Sequence, residues 1–165
     1  MSMTPEEAGL IAEENFKKGY NCAQAVFCTF AERLGLSEKE AMRISQPFGG
    51  GMCRLRETCG TVSGMFLALG LLEGSNDPSD KKAKDNIYAH GQELAARFTK
   101  LNGSIICKEL LGLVPIKEVA DAAASTSPVS EARTEEYYKK RPCPKLCACA
   151  AEIFQTYLNE NGIEK

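Results

Sequence analysis

The chain reads as all-α, a compact multi-helix bundle forming a single domain over residues 1–165. Three observations predict this. Apolar residues recur at helical spacing along most of the chain. Helix starts and stops punctuate it throughout, as capping boxes, prolines in first turns and glycines just past the ends. No segment of useful length alternates apolar and polar residues as a half-buried strand would.

The elements follow in order. Thr4-Pro5-Glu6-Glu7 is a capping box with Pro at the first helical position. Ala8, Ile11, Ala12 and Phe16 continue at helical spacing, Lys17 and Lys18 suit the negative end of the dipole, and Gly19 stops the helix. Asn21 caps a second helix with Gln24 at the third position. Its apolar face runs Cys22, Ala23, Val26, Phe27, Phe30 and Leu34 up to Gly35. Ser37-Glu38-Lys39-Glu40 opens a short helix that stops before Pro47. Gly49-Gly50-Gly51 would lose too much backbone entropy inside a helix, so residues 46–57 are predicted as a functional or flexible loop.

Thr58 is predicted to cap a helix over 59–72 that ends near Gly74, and Ser75 to Ser79 form a polar turn. Asp80 caps a long helix to about Lys100, with Ile87, Gly91, Leu94, Ala95, Phe98 and Leu101 on one face and Asn102-Gly103 at its end. Ser104 caps a short helix carrying Cys107, Leu110 and Leu111, ended by Gly112, and another short helix follows Pro115. Residues 122–136, rich in Ala, Ser and Thr, read as a long surface loop. The last helix begins around Pro144 with a stripe of Leu146, Ala150, Ile153, Phe154 and Tyr157.

Charge and composition narrow the function. Twenty basic and 22 acidic side chains leave a net charge of −2, with no basic surplus for nucleic acid. No run approaches the 18 or so apolar residues of a membrane span. The stretch Met1 to Glu7 has neither a basic flank nor an apolar core, so it is not a secretory signal and a cytoplasmic location is expected. In a reducing compartment, eight cysteines point to metal binding or redox work more than to structural bridges. About half of them are expected to be small buried hydrophobes.

Position separates the cysteines. Cys22 follows the cap Asn21, and Cys59 follows the predicted cap Thr58. Cys107 falls in the first turn after Ser104, and Cys143 stands at the entrance to the last helix. Helix N-termini carry unpaired N–H groups and about half a positive charge. There a thiol is expected to titrate below its usual value of about 8.5 and to exist as thiolate, which is both nucleophile and metal ligand. Should the four starts converge, their amides would stabilise one anionic sulfur cluster.

The remaining candidates rank behind these four. Cys53 follows the glycine run and is within reach of the same site. Cys143 and Cys147 lie one helical turn apart, a spacing at which two ligands face one metal. Cys28 and Cys149 read as core. There is no C-x-x-C pair for a zinc ribbon or a thioredoxin motif, and no C-x-x-C-H for covalent haem. Gly60, Gly64 and Ala68 form a smooth strip that serves either tight intramolecular packing or a homodimer contact. The single His90 reads as a surface or core residue before a ligand or proton carrier. Arg54 and Arg56 flank the loop, where they bind an anion or, if exposed, are simply solvated.

The runs Asn21-Cys22-Ala23-Gln24-Ala25-Val26, Gly49-Gly50-Gly51-Met52 and Cys59-Gly60-Thr61-Val62-Ser63-Gly64 resemble a bacterial and archaeal family of redox-active proteins. That family, C_GCAxxG_C_C, is named for four cysteines, one within a C-G-A-x-x-G motif; Thr61 stands here for the usual Ala. Its other two cysteines match Cys107, in Cys107-Lys108-Glu109-Leu110-Leu111-Gly112, and Cys143, in Cys143-Pro144-Lys145-Leu146. The resemblance runs from about residue 8 to 158. It implies a helical fold and a shared cofactor- or metal-binding role for Cys22, Cys59, Cys107 and Cys143, leaving Cys28, Cys53, Cys147 and Cys149 outside the pattern. A related domain occurs in split-Soret cytochromes, where an iron–sulfur centre accompanies haem. The resemblance therefore implies an iron–sulfur cluster or other metal ion and electron transfer with a redox partner protein.

Three functions fit these residues. The first is an iron–sulfur or other metal centre on four thiolates, in electron transfer. The second is thiol–disulfide exchange with two cysteines cycling. The third is non-enzymatic, a zinc site or metal carrier. Gly49-Gly50-Gly51 is no phosphate-binding fingerprint, and one histidine supports no Ser/His/Asp set.

Overall fold

A computed structural model describes residues 2–112 and 126–163. Among these lie eight α-helices and no strand: α1 (Pro5–Lys17), α2 (Cys22–Ala31), α3 (Glu38–Ser45), α4 (Gly60–Glu73), α5 (Lys81–Asn102), α6 (Cys107–Leu110), α7 (Glu135–Lys140) and α8 (Cys143–Glu160). A 3-10 turn, Gln46–Phe48, prolongs α3 and carries Pro47. The helix predicted after Pro115 and the first part of the predicted 122–136 loop lie outside the described residues.

Caps set the helix starts. Thr4, Asn21 and Ser37 each accept the third-residue N–H, while Glu7, Gln24 and Glu40 reach back to the cap N–H. Asp80 caps α5 by accepting from the Ala83 N–H at 2.9 Å, and Gly103, at φ 88°, ends it. The second helix is shorter than expected. It closes at Ala31, and residues 32–35 turn so that Leu36 N–H reaches Ala31 O at 2.9 Å across a left-handed Gly35.

α2 lies at the centre, packed against α1, α3, α4 and α8, and α1 lies along α8. Phe16, Phe27, Phe30, Met65, Phe98 and Phe154 fill the core, with Phe30 and Phe154 meeting edge to face at 4.8 Å. α4 is buried along its first turns, as a helix apolar on all sides should be. A Cβ on Gly64 would stand 2.8 Å from Ala23 O, so the small-residue strip is occupied by the backbone of α2. On α5 only Leu94 and Phe98 are buried, and the predicted core residue Leu101 is exposed.

α7 interrupts the end of the predicted surface loop. Thr134 caps it by accepting from the Tyr137 N–H at 3.2 Å, with Glu135 and Glu136 at its positive end and Lys139 and Lys140 at its negative end. Tyr138 packs edge-on against Phe16, which fixes this short helix to α1. Among the described residues no helix is long and apolar enough to cross a membrane.

Candidate functional site

The site is built where the chain pairs with itself. Cys59 N–H donates to Ile105 O at 2.7 Å, Cys107 N–H to Glu57 O at 2.6 Å and Lys108 N–H to Arg56 O at 3.2 Å, around one antiparallel bridge between Thr58 and Ile106. This pairing sets the starts of α4 and α6 side by side. It also explains two corrections. Thr58 is held in the bridge, so Cys59 itself is the N-cap of α4. Ser104 accepts the Ile106 N–H at 2.9 Å in a local turn, so Ile106 is the N-cap and Cys107 the first residue of α6.

Glycine brings α2 to the same place. A Cβ on Gly60 would lie 3.0 Å from the Cβ of Cys22, a contact that only the missing side chain allows. Cys22 is the first residue of α2 and Cys143 the first of α8. Cys22, Cys59, Cys107 and Cys143 all line one cavity of about 430 Å³, and Cys53 lines it from the glycine loop. Cys147, fully buried one turn into α8, is not among the lining residues, and the Cys22 thiol is coupled electrostatically to those of Cys143 and Cys147. All eight cysteines are free. Cys28 and Cys149 lie elsewhere and are half-buried where core was expected. Cys149 sits at the edge of the α8 stripe and accepts from Asn102 Nδ2 at 3.3 Å.

The predicted loop over 46–57 is a closed turn of unusual hand. Gly50, Gly51, Met52, Cys53 and Arg54 are all left-handed, at φ 67°, 72°, 65°, 50° and 61°, and Arg56 follows at 61°. Backbone bonds from Arg54 N–H to Gly49 O and from Glu57 N–H to Gly51 O close it. Left-handed backbone costs a non-glycine residue about 1–2 kcal/mol, so the segment stores strain beside the thiols.

Among the described residues, four arginines line the cavity against a single carboxylate, Glu131. Arg56 is 6 % exposed, with Nη1 3.9 Å from Cys107 Sγ. Arg54 donates to Ser127 O at 2.6 Å and lies 3.6 Å from Glu131, to which Arg141 donates at 2.6 Å. Arg133 spreads over the rings of Phe16 and Tyr137, at 4.4 and 4.9 Å. The pair Arg54 and Arg56 is therefore part of the cavity wall and not a solvated flank. Arg133 and Arg141 escaped the sequence reading, since neither lies on a periodic face; the only signal was Arg141 two residues before Cys143.

The thiols are not held as free thiolates. Burial pushes Cys59 up to about 11, against the Thr61 hydroxyl 3.1 Å from its sulfur. Burial also raises Cys107, opposed by Arg56, and raises Cys147, opposed by its bond with Cys22. The hydrogen bond with Cys22, with burial, raises Cys143. For Cys22 the bond with Cys143 favours the thiolate, but the bond with Cys147, burial and the neighbouring sulfurs outweigh it. Desolvation and crowding thus exceed the pull of the helix N-termini, contrary to the expectation of lowered values.

Among the described residues no group of three or more His, Cys, Asp or Glu side chains is arranged to hold a metal ion. His90 stands apart from the cavity. Its Nδ1 pairs with Glu73 Oε2 at 2.6 Å, and Tyr157 donates its hydroxyl to the same carboxylate, tying α4, α5 and α8 together.

Neither a curated protein nor a solved structure matches the chain. A family described as "Putative redox-active protein (C_GCAxxG_C_C)" matches residues 20–157, a span that contains every cysteine of the cavity. The chain belongs to this C_GCAxxG_C_C family of cysteine-containing redox-active proteins.

Proposed function

We propose that Cys22, Cys59, Cys107 and Cys143 are the ligands of an iron–sulfur cluster that serves in electron transfer with a redox partner protein. The observation that carries this reading is the meeting of four helix starts, each headed by a cysteine, on one cavity. The donors are sulfur alone, the set that iron–sulfur clusters use. In a tetrahedral zinc–thiolate site, Zn–S bonds of about 2.3 Å place the sulfurs roughly 3.8 Å apart. The thiols here are not gathered on one point in that way. The cavity that these cysteines line has a volume of about 430 Å³.

The raised thiols point the same way. Buried thiolates without a partner are costly, and a metal centre supplies the positive charge that lets them ionise. When bound, the cluster would supply one-electron redox chemistry. The chain's own part is then to bind, to balance charge and to exclude water. Arg56 donates toward the Cys107 sulfur, and Arg54, Arg133 and Arg141 offset negative charge on the sulfurs. Leu110, Leu111 and Leu146 supply apolar surface to the wall.

One observation favours a second reading. The Cys22, Cys143 and Cys147 thiols perturb one another's ionisation, which places them near one another, and a Cys22–Cys143 or Cys22–Cys147 disulfide would form with loss of two protons and two electrons to a thiol–disulfide acceptor. Protein purified and reconstituted without oxygen separates the two. Iron and acid-labile sulfide in stoichiometric amounts, with visible absorption, are expected. A colourless, metal-free protein that reversibly forms a Cys22–Cys143 or Cys22–Cys147 disulfide would replace the cluster with thiol exchange.

A further inference from the structure

The arginines outnumber what the sulfurs use. Arg56 points at Cys107, but Arg54 and Arg141 both meet one carboxylate oxygen, Glu131 Oε1, at 3.6 and 2.6 Å. That carboxylate is half-exposed and belongs to the segment 126–134, which also contributes Pro128, Ser130 and Arg133 to the cavity wall. Glu131 is held well ionised, first by its bond with Arg141 and further by Arg54 and Arg56. Two guanidiniums beside one carboxylate place donors and positive charge where an oxyanion of similar shape could be held. Here the oxyanion is supplied by the chain itself. Were it to leave, Arg54 and Arg141 would face the cavity mouth with no other acid among the described lining residues, in a chain whose net charge is only −2.

We infer that Arg54 and Arg141 form a binding site for a small dianionic oxyanion of the sulfate or phosphate class at the mouth of the thiol cavity, which Glu131 occupies when the ligand is absent. The incoming anion replaces the Glu131 carboxylate between the two guanidiniums. It thereby releases segment 126–134 from Arg141, while Arg54 exchanges one anionic partner for another. The site rests on arginines and not on cysteines, so it stands whether or not the sulfurs carry iron.

Isothermal titration of the full-length protein, as purified and with iron measured in parallel, tests this with sodium sulfate, phosphate, acetate and chloride as probes. Sulfate and phosphate are expected to bind more tightly than acetate, which has the same head group as Glu131, and chloride to bind least. Removing the internal competitor in E131Q should tighten sulfate binding at least threefold, a gain that misfolding cannot imitate. R54Q and R141Q should each weaken it about tenfold, the loss of one charge-assisted bond, with helix content by circular dichroism unchanged. Sulfate affinity that is the same or weaker in E131Q, or unaltered in R141Q, would overturn the assignment. Absence of iron alone would count against the cluster and leave the anion site untouched.

Discussion

The two ends of α4 contrast sharply in what surrounds them. At its start the helix meets buried sulfur, arginine and left-handed backbone. At the end of this 14-residue helix, about 21 Å along, Glu73 takes hydrogen bonds from a histidine and a tyrosine. α8 repeats the pattern, running from Cys143 at the cavity to Tyr157 at Glu73. The far end fastens three helices with polar groups that are all satisfied. The near end collects features that each work against stability: strained residues, close-approach glycines, buried thiols and like-charged arginines. Such a concentration is what a working site retains and a purely structural region would shed.

Substitutions at the two ends should therefore differ in kind. The largest effect is expected for Gly51→Ala. Its Cβ would stand 2.6 Å from the Cys107 Cβ and 2.8 Å from Glu57 N, at φ 72°. A loss of about 2–4 kcal/mol in urea unfolding is predicted, with loss of bound metal as α6 is pushed from the cavity. Gly64→Ala, whose Cβ would press on Ala23 O, should cost about 1–3 kcal/mol by separating α2 from α4.

Raising the pH should weaken the near end next. In reduced, metal-free protein Cys59 titrates at about 11 when folded and near 9 when unfolded. Its contribution is fully present below pH 9 and is lost as pH climbs toward 11, about 1 kcal/mol by pH 10. Denaturation midpoints measured from pH 7 to 10 should fall accordingly, and a flat profile would contradict the burial of this thiol. At the far end, Tyr157→Phe removes one hydrogen bond to Glu73, which keeps His90. A cost of about 0.5–1 kcal/mol is predicted, with metal content unchanged.

The helix scaffold was largely legible in the sequence, whereas the far-end link of Glu73 with His90 and Tyr157 was not. The capping boxes at Thr4, Asn21 and Ser37 and the cap at Asp80 act through bonds that span only three residues, so local sequence specifies them. The position of Cys22 follows from the Asn21 capping box, and that of Cys143 from Pro144 in the first turn of α8, which has no side-chain cap. What was not legible depends on partners distant in the chain. Thr58 is a good cap by type, but pairing with Ile106 takes it away. The glycine run announces an irregular segment, yet nothing local says that Met52, Cys53 and Arg54 continue the left-handed course. α7 has no apolar stripe and is fixed by Thr134 and by Tyr138 on Phe16. The thiol ionisation went wrong for a related reason: helix position is local, whereas burial and crowding by other sulfurs emerge only from the assembled cavity.

The central claim is that four sulfurs from four helix starts act as one centre. Iron and sulfide content of single Cys→Ser variants, prepared without oxygen, tests it most directly. C22S, C59S, C107S and C143S should each fall more than tenfold below the parent protein, while C28S and C149S keep its full content. Full content in any of the first four, or an equal loss in all six, would contradict a shared centre at these positions.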